Sequence, residues 1–275
     1  MPDYVFNGTR FELRHPVVMG ILNATPDSFS DGGLHLDPRQ AVNRAHEMVE
    51  QGAAIIDLGG ESTRPGSEPV SVKEELNRIL PILKALPKDE FVISIDSRNR
   101  ETQRVAIEEG THLVNDVSGG NEELFDLAEK RQVGLVLMHA QGDPRSMQDA
   151  PVYEDVLAEV RAFFDAKREA ILRRNLPRVW IDPGIGFGKT LEHNLDLLRN
   201  LDRFADSAWG VLLGASRKSW IDKLCGAPVD QRLGGSLAAA VHAVSMGAEI
   251  IRAHDVRETV QAIEVGLELT GASKN

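Results

Sequence analysis

Carboxylates, carboxamides and cations recur in this sequence at one kind of place, the end of a short apolar, β-branched run. Asn23 follows Val17–Leu22, and Asp57 lies in Ala54–Leu58, which leads into Gly59-Gly60-Glu61-Ser62-Thr63-Arg64-Pro65-Gly66. Asp96-Ser97 follow Phe91–Ile95, Asn115-Asp116 follow His112–Val114, His139 follows Gly134–Met138 and Asp182 follows Val179–Ile181. Ser216-Arg217-Lys218-Ser219 come after Val211–Leu213, and Arg252-Ala253-His254-Asp255 after Glu249–Ile251. A single Asp or Asn in such a place reads as a turn or cap residue. Eight polar run-ends in succession call for another reason. Asp96, Asn115 and Asp182 supply the acceptors and donors that the edge of a polar heterocycle needs. Lys218, Arg252 and His254 suit an anion.

Other motifs narrow the chemistry. The Gly/Pro/Ser/Thr-rich stretches after the first two runs, Asn23–Gly33 and Gly59–Gly66, exceed the usual two to six residues of a βα connection, as lids and substrate clamps do. Ser216–Ser219 reads as a helix start directly after a strand, where free N–H groups favour a carboxylate or phosphate and where Ser216 also fits as the cap. Gly184-Ile185-Gly186-Phe187-Gly188-Lys189-Thr190 ends like a nucleotide-binding loop, but the first glycine that pattern needs is replaced by Pro183. There is no dinucleotide-binding fingerprint after the first run, no zinc pattern among the eight histidines and no Gly-x-Ser-x-Gly elbow. His242, within an apolar helix, reads as a packed or surface histidine rather than a ligand.

The elements that must position these groups alternate. Between the eight runs lie amphipathic stretches at Pro38–Gln51, Val72–Leu86, Arg100–Glu109, Glu122–Lys130, Val156–Asn175, Leu191–Leu201, Ser236–Met246 and Val256–Leu269. Asp37-Pro38 has the form of an N-cap with proline at the first helical position. Ser71 and Glu74 have capping-box spacing. Gly52, Gly110 and Gly247 stand where helices end in a left-handed residue. Strands alternating with helices imply a parallel sheet, and continuous apolar runs imply strands covered on both faces. Eight units in 275 residues predict one (β/α)8 TIM barrel spanning 1–275, with residues 1–16 left over as a short N-terminal hairpin or cap. The structural alternative is an open doubly wound sheet. In a barrel every polar run-end converges on the C-terminal face, where barrel enzymes hold their active sites.

Composition limits the partners. Lys and Arg total 31 against 42 Asp and Glu, a net charge of −11, which argues against nucleic acid as a partner. The one cysteine, Cys225, excludes an internal disulfide framework and fits a reducing compartment. With no basic region followed by an apolar run at the N-terminus, and no apolar stretch of membrane-spanning length, a cytoplasmic protein without a membrane partner is expected.

Taken together the motifs resemble the dihydropteroate synthase family. Met19–Gly33 and Gly59–Gly66 are similar to its two signature loops. Ile95-Asp96-Ser97, Val114-Asn115-Asp116, Met138-His139, Asp182-Pro183-Gly184, Ser216–Ser219 and Ile251–Asp255 follow in the family's order, so the likeness runs from about residue 16 to residue 262. The resemblance implies a folate-pathway transferase and sulfonamide target. It would condense 6-hydroxymethyl-7,8-dihydropterin diphosphate with 4-aminobenzoate, with Mg²⁺, and work as a homodimer. It implies Asn23 at the metal and diphosphate, Arg252, His254 and Thr63 at the diphosphate, and Asp96, Asn115, Asp182 and Lys218 along the pterin. Met138 and Phe187 would pack near the heterocycle or serve as ordinary barrel core. The aminobenzoate carboxylate would lie near Ser219 and its ring near Phe29, Thr63, Arg64 and Pro65. Asp96, Thr63 and Arg64 are the residues expected to carry catalysis. Ala24, Ala140 and Ala253 depart from the family's usual residues and touch pocket shape rather than chemistry. A pterin-binding methyltransferase barrel and a non-catalytic pterin-binding subunit are the rival readings. Ser62–Pro65 and Ser216–Ser219 disfavour the first, and the presence of Asn23, Thr63 and Arg252 disfavours the second.

Overall fold

The computed structural model describes residues 3–24, 37–61, 70–142, 147 and 151–271. Phe29, Thr63, Arg64 and Pro65, with most of the two long stretches that contain them, lie outside these residues. The chain begins with an antiparallel hairpin, Asp3–Phe6 (β1) and Thr9–Glu12 (β2). Eight parallel strands follow: Val17–Asn23 (β3), Ala53–Gly59 (β4), Val92–Asp96 (β5), Leu113–Asp116 (β6), Gly134–Met138 (β7), Val179–Asp182 (β8), Gly210–Leu213 (β9) and Ile250–Ala253 (β10). They close into a barrel in sequence order, with β10 pairing both β9 and β3. The predicted TIM barrel and its N-terminal hairpin are both present.

Outside the barrel run Pro38–Glu50 (α1), Val72–Ala85 (α2), Arg100–Glu108 (α3), Glu122–Arg131 (α4), Val156–Leu172 (α5), Leu191–Arg199 (α6), Ser219–Cys225 (α7), Leu233–Ser245 (α8) and Val256–Thr270 (α9). Their starts are chemically specified. Asp37 accepts from the Arg39 N–H with Pro38 behind it, Asp155 from Leu157 and Ala158, and Thr190 with His193 forms a reciprocal capping box. Ser71 accepts from the Glu74 N–H, but the Glu74 carboxylate turns to Arg78 instead of closing the box. Gly52, Gly110 and Gly247 each have a positive φ directly after a helix, as their positions predicted.

The boundaries differ from the sequence reading in an informative way. Asn23, Asp96, Asn115, Asp182 and Arg252 are strand residues, paired across to Gly59, Asn115, Asp96, Met138 and Met19, rather than residues after the strands. An apolar run stops at the first polar side chain, whereas backbone pairing continues through it. The helix start read at Ser216–Ser219 is the short α7, which begins at Ser219 and ends at Gly226 in a left-handed conformation; α8 then starts at Leu233, three residues before the reading placed it. The stretch read to Asn175 ends as helix at Leu172.

Side chains of period two divide the barrel into two cores. One set, including Ile56, Leu58, Ile93, Ile95, Val114, Leu137 and Ile181, packs outward on the helices. The other, Met19, Ile55, Val92, Leu113, Val136, Trp180, Leu212 and Ile250, fills the barrel interior, where Phe6, Phe11 and Leu13 of the hairpin segment join it as a plug. Three buried apolar side chains of this size contribute about 2 kcal/mol each, enough to hold the hairpin against the barrel. Above the apolar interior layer the same inward register places Asp57, Ser94, Asp96, Asn115 and Asp182. The barrel floor is thus dry and its mouth polar.

The plug meets His112, whose ring lies edge-on to Phe11 at 4.8 Å and accepts the Ile93 N–H on Nδ1 at 2.9 Å. Burial, with the charge of Lys88 beside it, pushes His112 down to about 4. The unfolded chain therefore binds a proton near pH 6.5 that the folded chain refuses until about pH 4, and stability falls as pH drops through that window. His112→Asn should flatten the decline in urea midpoint between pH 6.5 and 4, where this histidine alone is worth up to about 3 kcal/mol. An unchanged slope in the variant would show that His112 is not the group titrating.

Candidate functional site

The register that makes Ile55, Val92 and Trp180 interior residues makes the polar residue two places on interior as well. Asp57 stands above Ile55, Asp96 two places beyond Ser94, and Asp182 two beyond Trp180. Their buried carboxylates meet a cation from β10. Arg252 donates from Nε to Asp57 Oδ2 at 2.6 Å and from Nη2 to Asp96 Oδ2 at 2.7 Å. Asn115 donates its Nδ2 to the same Asp57 oxygen at 3.0 Å. The remaining oxygens, Asp57 Oδ1 and Asp96 Oδ1, are buried without a hydrogen-bond partner among the described residues. Burial raises Asp96 to about 7, with Arg252 pulling it down and the carboxylates of Asp57, Glu75 and Glu61 pushing it further up.

A second group faces it across the mouth. Asp182 Oδ1 accepts the Gly184 N–H at 2.8 Å, and burial raises its carboxyl against the opposing pull of Lys218. Lys218 donates to the Ile185 carbonyl at 2.6 Å, its ammonium 4.5 Å from the centre of the Phe187 ring, and burial lowers it to about 8. Gly214, just after β9, marks where the two groups converge. A Cβ there would sit 3.2 Å from Asp182 Oδ2, 3.8 Å from Lys218 Nζ and 3.9 Å from Arg252 Cδ. Asn23 lies at the rim, its Oδ1 3.8 Å from where a Cβ on Gly59 would be. Met138, buried at the end of β7, pairs with Asp182 across the strands.

Lys218 is aimed inward by a strained turn. Arg217 has φ +54°, its N–H goes to Ser236 Oγ at 2.9 Å, and its guanidinium pairs with Asp255. Ser216 does not cap the helix, as the sequence suggested. Its hydroxyl is engaged by His254, through the backbone N–H at 3.3 Å and the ring Nδ1 at 3.1 Å. Lys218 holds the N-cap position without a side-chain capping bond to the helix, and Ser219 is the exposed first residue of α7.

Two features escaped the sequence reading. Asp57 was visible only as a run-end, yet it lies at the centre of the polar cluster; counting two places from Ile55 on the inner face is the signal that finds it. Lys189, dismissed along with the nucleotide-loop pattern, is fully buried. It donates to the Phe187 carbonyl at 3.0 Å and meets His139 Nδ1 at 3.0 Å. Burial lowers Lys189 to about 7 and His139 to about 3. The Gly-Lys pair thus stitches the β8 turn to the end of β7 instead of holding a phosphate. His242 lies exposed on α8, the surface alternative of that reading, its Nε2 2.9 Å from the Leu198 carbonyl. Among the described residues no three His, Cys, Asp or Glu form a cluster able to hold a metal ion, and no helix is long and apolar enough to cross a membrane.

The comparisons with known proteins agree with this geometry. Residues 19–254 match the family of pterin binding enzymes. The dihydropteroate synthase of Escherichia coli K12 is 45% identical over 272 residues, covering 98% of this chain and 96% of that protein. The chain belongs to the dihydropteroate synthase family. Among solved structures, the Xanthomonas albilineans dihydropteroate synthase with 4-aminobenzoic acid superposes with a TM-score of 0.89 at 39% identity, covering 99% of each chain. The same enzyme in complex with 7,8-dihydropteroate gives 0.85 at 36% identity, covering 99% of this chain and 100% of that one.

The turn after β8 tests the stitching directly. Gly184 has φ +74° and a Cβ would fall 1.8 Å from the His139 carbonyl oxygen, whereas Gly226 has φ +67° and open space around it. Gly226→Ala should lower stability by about 1 kcal/mol, the strain of the left-handed backbone alone. Gly184→Ala should lower it by about 3 kcal/mol or more because the backbone must move. Equal losses in chemical denaturation would mean the β7–β8 contact is not tight.

Proposed function

We propose that this chain joins 6-hydroxymethyl-7,8-dihydropterin diphosphate to 4-aminobenzoate, releasing pyrophosphate and 7,8-dihydropteroate. The observation that carries the reading is the polar mouth of the barrel. There buried carboxylates and a carboxamide flank an arginine and a lysine, in a chain whose family makes this bond. Asp182 accepts from the adjacent N–H donors of the pterin, with Lys218 and Asn115 completing its edge and Met138 and Phe187 packing on its faces. Arg252 and His254 hold the diphosphate, joined by Thr63. Ser219 receives the aminobenzoate carboxylate, with Phe29, Thr63, Arg64 and Pro65 assigned to the neighbourhood of its ring.

The chemistry follows from the nucleophile. An arylamine nitrogen is neutral at pH 7 but weak, so the reaction gains if the bond between the pterin methylene carbon and the diphosphate oxygen breaks first. The electron pair leaves with pyrophosphate and a cationic pterin remains. Carboxylates fixed beside the heterocycle stabilise that charge without reorganising, the situation in which electrostatic catalysis is strongest. Asp96, with an ionisation near 7, is most effective as the anion on the basic side of neutrality. The amine lone pair then forms the C–N bond and its proton passes to pyrophosphate or water. A strong general base is not required.

Mg²⁺ fits this donor set as an ion that the substrate largely brings with it. A single carboxamide, Asn23, stands at the rim, and magnesium characteristically keeps water and phosphate oxygens around it with few protein ligands. Bound there, it would neutralise charge on the departing diphosphate. The exposed free Cys225 agrees with a cytoplasmic setting. Two copies pair through their C-terminal helices, a reading supported by the exposure of Val265 (54%) and Leu269 (83%) on α9. Sedimentation should give a dimer that Leu269→Glu weakens, and a monomer at micromolar concentration would refute the pairing.

The deciding experiment is turnover with purified protein, both substrates and Mg²⁺, following pyrophosphate and dihydropteroate. Stoichiometric release of both is expected, and pterin binding without pyrophosphate release would overturn the reading. Asp182→Ala should weaken pterin binding by about 100-fold in calorimetry, the scale of two lost charged hydrogen bonds. Arg64→Ala should lose turnover more than pterin affinity. Retained affinity in Asp182→Ala would remove Asp182 from the slot.

A further inference from the structure

We propose that Asp57, outside the set of residues expected to touch substrate, is a positioning residue that fixes which faces Asn115 and Arg252 present to the pterin diphosphate. The inference rests on the reading above that those two side chains meet that substrate. Asp57 is fully buried on the inner face of β4, and a single oxygen, Oδ2, serves both partners. An ionised carboxylate only accepts hydrogen bonds. The Asn115 carboxamide can therefore approach it only through nitrogen, which leaves the carbonyl oxygen and the second N–H for the heterocycle. Without Asp57 the amide is free to turn over, exchanging donor for acceptor at the pterin edge. Arg252 is held in the same way. With Nε on Asp57 and Nη2 on Asp96, the planar guanidinium has Nη1 left for an anion.

The position is a demanding place for a carboxylate. Its Oδ1 is buried without a partner among the described residues, and its charge pushes up Asp96, which Glu75 from α2, Glu61 beyond β4, Arg252 from β10 and Lys218 before α7 also influence. One layer down, the equivalent inward places hold Ile55, Val92, Leu113 and Val136. Where only packing matters, an apolar residue of similar volume is often no worse than a buried ion pair. The carboxylate at 57 is therefore accounted for by what it orients.

The test is steady-state kinetics from pH 5.5 to 9 on the full-length protein and on Asp57→Ala, Asp57→Asn, Asn115→Ala and the Asp57→Ala/Asn115→Ala pair, with melting curves confirming the fold. Asp57→Ala should raise KM for the pterin diphosphate about tenfold or more and leave KM for 4-aminobenzoate within about twofold. Adding Asn115→Ala to Asp57→Ala should do much less harm than it does to the wild type, because the two act as one unit. Asp57→Asn keeps an acceptor oxygen but not the charge. It should recover KM to within about threefold and move the acid limb of kcat/KM to lower pH, since Asp96 then faces one carboxylate fewer. Multiplicative effects in the double variant, equal rises in both KM values, or an unmoved pH profile in Asp57→Asn would overturn the proposal. If Asn115→Ala alone leaves the pterin KM unchanged, the substrate-contact reading fails instead. Should Asp57→Ala not fold, the Asp57→Asn profile and the same cycle built on Asp57→Ser, which also removes the shared carboxylate, decide.

Discussion

One guanidinium organises the mouth of this barrel. Arg252 enters from the last strand and is gripped by Asp57 from the second barrel strand and Asp96 from the third, both buried. Its charge offsets the cost of holding two buried carboxylates side by side, and it opposes the upward push on Asp96. They in turn keep the guanidinium from collapsing onto the wall, and Asn115 is tied in through Asp57. Closure of the barrel between the first and last strands is what brings these groups within reach of one another, since 195 residues separate Asp57 from Arg252.

The polar cluster depends on the apolar layer beneath it. Trp180, Val136, Leu113 and the hairpin side chains Phe6, Phe11 and Leu13 exclude water from the barrel floor. With the floor sealed, the electrostatics above act in a medium less screening than water, and the ionisation of Asp96, Asp182 and Lys218 is displaced accordingly. For Asp96 and Lys218 the displacement brings the balance between charged and neutral forms close to neutral pH. Lys189 and Lys218 pin the turn after β8 from two sides, at the Phe187 and Ile185 carbonyls, so that Asp182 and the Phe187 ring stay in fixed relation.

Much of this was legible in the residues. The eight-fold alternation of apolar runs and amphipathic stretches implied a parallel sheet, and eight units favoured closure over the open doubly wound alternative. Helix caps at Asp37 and the left-handed glycines after α1, α3 and α8 could be placed because their chemistry is local. The polar run-ends Asp96, Asn115, Asp182 and Arg252 were identified as site residues, though assigned to positions after the strands. That displacement has a plain cause: hydrophobicity reports burial in apolar surroundings, and strands that end inside a polar pocket continue past the point where the signal stops. The short helix α7 was legible only as a start at Ser216–Ser219, because seven residues give too little periodicity to mark its extent.

Local chemistry and period, then, pointed to the barrel, its N-terminal hairpin and side chains suited to a polar heterocycle and an anion, while the likeness of the ordered motifs pointed to the family. Tertiary structure alone decided how those side chains are shared. That Asp57 serves Asn115 and Arg252 through one oxygen, that Lys189 is a buried stitch rather than a phosphate ligand, and that Ser216 turns to His254 instead of capping a helix are all matters of residues far apart in the chain. A sequence specifies which groups can bond. Which partner each obtains depends on the register and closure of eight strands, and only the folded barrel fixes that.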